Sequence, residues 1–268
     1  MNQSTRRRVW DCTITVFVLA AAGSLFCASA GAQNQSLEGE KIAPYTGPPV
    51  FLDEPEQKPA ATLVERQVVT DKYEDGTVRV EREIARYSDD RRTADGKYRE
   101  FYSQGKLFVE GEYRAGAQHG EWTYWHENGT KNRTATYKNG KPDGSWEVFR
   151  ADGTLEAKRS YKEAKRDGTW IYYDETGEKP LGEEQYTDGK ANGLWKAWFP
   201  SGQLKKQIGF KMGVRDGEAL EWNEEGKKRV EVTYVEGKPH GPATVWTPDG
   251  RKFVQVYEQG KIIKQAEE

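Results

Sequence analysis

Apolar and polar residues alternate along most of the chain in short runs, each stopped by glycine. Residues 144–167, GSWEVFRADGTLEAKRSYKEAKRD, show the pattern in full. One run reaches Phe149, a turn signal sits at Asp152-Gly153, and a second run ends at Tyr161. Alternation with period two predicts half-buried antiparallel strands. Asp-Gly between two such runs predicts a hairpin turn with positive φ at the glycine. The same pattern restarts at Gly96, Gly120, Gly144, Gly168, Gly193, Gly217 and Gly241, at spacings of 24, 24, 24, 25, 24 and 24 residues. A period of this length marks a tandem array.

Comparison of the copies turns single residues into columns. The second position after each starting glycine holds Tyr98, Trp122, Trp146, Trp170 and Trp195, then Ala219 and Ala243. The fifth holds Phe101, Trp125, Phe149, Tyr173, Trp198, Trp222 and Trp246, and the ninth is always glycine. A closing aromatic follows at Tyr113, Tyr137, Tyr161, Tyr186, Phe210, Tyr234 and Tyr257, and the extra residue falls near Pro180. Alternation in the second strand groups Leu155, Ala157 and Tyr161 on one face, and likewise Leu204, Ile208 and Phe210. A lone hairpin cannot bury its aromatics, so neighbours must stack. The expected fold is all-β: an elongated single antiparallel sheet, or solenoid, of tandem β-hairpins. Positions two and five have opposite parity. Either a bulge separates them or one row is partly exposed. An exposed row makes Trp125, Phe149, Tyr173, Trp198, Trp222 and Trp246 the candidate binding face.

The columns resemble MORN repeats in their variant form. The resemblance rests on His119-Gly-Glu-Trp-Thr-Tyr-Trp-His-Glu-Asn-Gly129, Asp167-Gly-Thr-Trp-Ile-Tyr-Tyr173 and Tyr137-Lys-Asn-Gly140-Lys, and covers residues 96–261, more faintly 68–95. It implies a β-hairpin array that scaffolds protein contacts or, in some relatives, lipid contacts. An antitoxin role attaches to some bacterial relatives by label only, and it conflicts with the leader described next.

The ends differ from the array. Arg6-Arg7-Arg8, an apolar run from Ile14 to Phe26 and small residues to Ala32 read as a secretory signal peptide over 1–32, cleaved near Ala30 or Ala32. An uncleaved anchor is the alternative, but a bilayer span needs about 20 apolar residues. Residues 33–62 carry five prolines and read as a disordered tether. Residues 63–95, with Asp75-Gly76, read as a degenerate capping repeat, 96–263 as seven full repeats, and 264–268 as a charged tail. Lys261, Lys264, Glu267 and Glu268 oppose edge pairing and favour a monomer.

Charge and chemistry narrow the function. Without residues 1–32 the chain has 38 basic and 42 acidic residues, which gives no case for nucleic acid. Both cysteines lie in the leader, so the exported chain would fold without disulfides. His119 and His240 fill a slot that elsewhere holds Asp or Asn before glycine, so they read as turn residues; His126 reads as exposed. No His/Cys/carboxylate spacing suits a metal, no carboxylate pair stands out as acid and base, and no cofactor motif occurs. The chain therefore reads as a non-enzymatic, exported scaffold for a protein partner, periplasmic, envelope-associated or secreted. The alternative is a cell-wall glycan or lipid-headgroup binder that uses the aromatic row.

Overall fold

The computed structural model describes residues 61–267. The leader (1–32) and the proline-rich stretch up to residue 60 lie outside the described residues. The described chain forms one antiparallel sheet of 19 strands. An N-terminal hairpin pairs β1 (Leu63–Lys72) with β2 (Val78–Tyr87) around Asp75-Gly76. The repeats follow as β3 (Arg92–Phe101) and β4 (Leu107–Arg114), β5 (Ala117–Trp125) and β6 (Lys131–Lys138), β7 (Lys141–Phe149) and β8 (Leu155–Lys162). The fourth has an interrupted first strand, β9 (Lys165–Arg166) and β10 (Gly168–Tyr173), then β11 (Pro180–Thr187). The fifth repeats this with β12 (Lys190–Ala191), β13 (Gly193–Trp198) and β14 (Leu204–Lys211). Next come β15 (Val214–Trp222), β16 (Lys228–Val235), β17 (Lys238–Trp246), β18 (Lys252–Glu258) and β19 (Lys261–Glu267). Successive strands pair in chain order, except that β10 pairs back to β8 and β13 to β11 across the two interruptions, and residues 264–267 continue the sheet as part of β19.

Two kinds of turn set the period. Within a unit, Gly129 N–H donates to the His126 carbonyl at 2.8 Å and His126 N–H to the Thr130 carbonyl at 2.9 Å. That is a type I turn closed by a left-handed glycine, here with φ of 90°. Asn128 Oδ1 accepts from the Thr130 amide and hydroxyl, as Asp152 Oδ1 does from Thr154. Those two bonds hold the Asp152 carboxyl below the usual range. Between units, Asn139 (φ 51°) and Gly140 (φ 76°) are both left-handed between the paired Lys138 and Lys141, a type I′ turn. The extra residue lies in the fourth loop, where Asp174 N–H reaches the Lys179 carbonyl, one residue farther than its counterparts reach.

Bulges, not plain alternation, decide the faces. In each of the first six full units the register shifts next to the fifth position, as between Tyr124 and Trp125 in the β5–β6 pair. Tyr124 faces Arg133 while Trp125 faces Lys131, leaving Asn132 extra. The shift reverses parity in the second strand. Leu155 therefore stands across from Phe149 and Leu204 across from Trp198, on the opposite face from Tyr161 and Phe210. This corrects the alternation-based grouping. A second shift occurs at the starting glycine: between Glu110–Thr123 and Glu112–His119, Gly111 alone opposes three residues of β5.

The core is a single layer of rings on one face. Tyr98, Tyr113, Trp122, Tyr137, Trp146, Tyr161, Trp170, Tyr186, Trp195 and Phe210 follow one another at centroid distances of 4.5 to 6.3 Å. Trp122 is only 2% exposed, and Ala135 and Ala157 beneath the rings are fully buried.

Candidate binding face

The second-position tryptophans are committed to the fold. Each indole Nε1 donates to a backbone carbonyl ten residues upstream, at the shift before its starting glycine. Trp122 reaches Glu112 (3.2 Å), Trp146 Thr136 (3.3 Å), Trp170 Ser160 (2.9 Å) and Trp195 Gln185 (3.1 Å). A buried indole N–H needs such a partner. Guanidinium groups lie over the same rings: Arg133 over Trp146 at 5.6 Å and Arg166 over Trp170 at 4.6 Å. Farther along this face Glu184 is 6% exposed and accepts from the Tyr186 hydroxyl. Burial raises its pKa, against the opposing pull of Tyr186, Arg166 and Arg159. Burial also pushes the neighbouring Tyr172 hydroxyl up to about 12.

The fifth-position residues stand apart. Trp125, Phe149, Tyr173, Trp198, Trp222 and Trp246 each end the first strand of their hairpin and are half-buried. Strand alternation turns them to the face opposite the ring ladder. Their cross-strand neighbours are Lys131, Leu155, Pro180, Leu204, Lys228 and Lys252. Ring and aliphatic stem thus alternate along one row, with successive rings about 10 Å apart, twice the strand spacing. Of the alternatives left by their parity, the second is realised: the bulges beside the fifth position place their extra residue in the second strand, so positions two and five keep opposite faces and the fifth-position row is partly exposed.

The histidines sit differently from the sequence reading. His126 is half-buried, not exposed: its Nε2 lies 3.1 Å from the Phe149 carbonyl, and Asn132 Nδ2 approaches the same ring. It belongs to a sixth-position column that ties the N-terminal hairpin and the first three full units each to the next, with Tyr73 donating to Phe101 O, Tyr102 to Trp125 O and Arg150 to Tyr173 O. These residue types vary too much to read as one column from sequence; only their shared reach to a fixed carbonyl unites them. His119 and His240 lie in β5 and β17, not in turns. Their slot faces the next turn, which is why Asp and Asn also serve there. Among the described residues, no group of three or more His, Cys, Asp or Glu side chains could hold a metal ion.

The family model for the MORN repeat variant matches residues 94–115, 118–139, 191–212 and 215–236. Comparison with curated proteins finds no match. Each matched stretch begins two residues before a starting glycine and carries the turn and ring columns described above. Four of the chain's repeat units are thus of the MORN repeat variant type.

Proposed function

We propose that the protein is a non-enzymatic binding scaffold of the cell envelope, exported by its leader, that docks a protein partner as a monomer along the fifth-position row. The observation that carries this reading is the division of labour between the two aromatic columns. One is consumed by packing and indole hydrogen bonds; the other lies half-buried on the opposite face, beside Leu155 and Leu204. A row of rings and aliphatic stems offers the apolar anchors that dominate protein interfaces. Repeats of this family serve as protein- or membrane-binding modules. Affinity capture from an envelope extract, with the partner identified and the pair reconstituted from purified proteins, tests it. Replacing Trp198 and Trp222 together by alanine should abolish reconstitution while leaving the chain folded. An unchanged affinity would overturn the reading. The regular one-ring-per-unit spacing supports a second reading, a linear glycan stacked along the row. Retention on purified wall polysaccharide, lost in the same double variant, would favour it.

A further inference from the structure

The two ends of the sheet are not equivalent. Among the described residues, β1 pairs only with β2 and β19 only with β18. Each end strand therefore turns alternate backbone N–H and C=O groups outward, where a further strand can add. Folded proteins guard such edges with charge, lysine above all. β19 is guarded in this way by Lys261 and Lys264, both exposed.

β1 has no such guard. Register shifts at Leu63/Glu65 and Asp71/Lys72 bound a regular stretch, residues 65–71, that contains no proline. Its charged side chains are Glu65, Arg66 and Asp71. Each is drawn back into the sheet, Glu65 to Arg86 at 3.0 Å, Arg66 to Asp95 at 2.7 Å and Asp71 to Arg82 at 3.0 Å. The edge is left with aliphatic groups: Val68 is 66% exposed, and Leu63 and Val64 are exposed beside it.

The strand that suits this edge is the same strand of a second copy. Two antiparallel edges related by a two-fold axis meet with one residue facing itself. With Gln67 facing Gln67, Arg66 stands across from Val68 and Glu65 from Val69, so no like charges are opposed. Each Val68 then lies against the aliphatic stem of the other copy's Arg66. The lysines of β19 stop growth at the far end, so pairing closes as a dimer and does not run on into a filament.

We propose that the β1 edge is a self-association surface at which two copies of the chain pair antiparallel into a closed dimer. The contact is one strand wide, well under the roughly 1,200 Å² of a stable interface, so pairing is weak. The dilute chain docks its partner as a monomer, and the paired form leaves the fifth-position row open in both copies.

Sedimentation equilibrium of the full chain between about 10 µM and about 1 mM tests the proposal, with a dissociation constant expected at about 100 µM. Val68→Lys places an ammonium at the centre of the edge. Glu83, directly across in β2, gives it a partner, so this variant should melt no lower than the parent yet stay monomeric throughout. Ile263→Lys makes the same change at β19 and should pair like the parent. In the concentrated parent, the outward amides of residues 65–71 should exchange about threefold or more slowly than in the dilute one, with no gain in β19. A monomer at every concentration, species larger than a dimer, unchanged pairing in Val68→Lys, or protection gained at β19 instead would overturn the proposal. The Trp198/Trp222 double variant should pair normally, so the two sites fail or stand independently.

Discussion

Ala164 occupies a left-handed position, φ 67°, where the equivalent residue of every other full unit is glycine. A side chain there costs roughly 1–2 kcal/mol, because Cβ crowds the following carbonyl. Ala164→Gly should raise stability by about 1 kcal/mol, less whatever the freer unfolded chain returns, as read from the urea midpoint. The buried Glu184 gives a pH signature. Its folded pKa is raised by burial, so its contribution to stability is full below the unfolded carboxylate value and is lost as pH rises through the folded one. Glu184→Gln should remove that loss. The variant's stability relative to the parent should grow from pH 4 towards neutrality, and parallel denaturation curves at several pH values check the sign. Positive φ at the ninth-position glycines was legible from Asp-Gly and Asn-Gly pairs, because only the local chain sets it. The strain at Ala164 was not legible, since it shows only as a departure from a column whose geometry must first be known.

Within a hairpin, the two aromatic positions differ in what they support. Trp122 is 2% exposed, stacks between Tyr113 and Tyr137, and bonds the Glu112 carbonyl. Trp122→Ala should therefore cost about 3–5 kcal/mol, by lost transfer energy and a cavity the sheet cannot close. Trp222→Ala, on the opposite face, should cost about 1 kcal/mol or less. Equal losses at the two sites would mean that the fifth-position row is also core. Gly111 adds a steric check: a Cβ there would stand inside contact distance of the Trp122 ring, so Gly111→Ala should destabilise by about 1–3 kcal/mol in the same assay. The hairpins themselves were legible from period and turn chemistry. Which residues share a face was legible only in part. Val230, Val232 and Tyr234 obey simple alternation, whereas Leu155 and Leu204 do not, because a bulge beside the fifth position shifts the register by one residue. No residue type announces that bulge.

At the scale of the whole array, each unit touches only its neighbours, so stability is a sum of unit and interface terms and can vary along the sheet. The ring ladder runs unbroken from Tyr98 to Phe210 and stops where Ala219 replaces the next tryptophan. Each ring pair contributes about 0.5–1.5 kcal/mol beyond its buried area, so that loss recurs at Ala243. The sixth-position ties stop earlier, because after Arg150 the column holds Asp174, an acceptor, and Phe199, which has no polar group. Aliphatic burial at Val232 and Ala243 packs the last units, which have neither the second-position rings nor the sixth-position ties of the first ones. Amides of β5–β8 should therefore exchange with solvent about tenfold or more slowly than those of β16–β18. Trp170→Ala breaks the ladder at its middle and should raise exchange in β8 and β11 more than in β3 or β18. Uniform exchange across all units, or an effect of Trp170→Ala spread evenly to both ends, would show that the sheet opens as one cooperative body and that the ladder does not set its local stability.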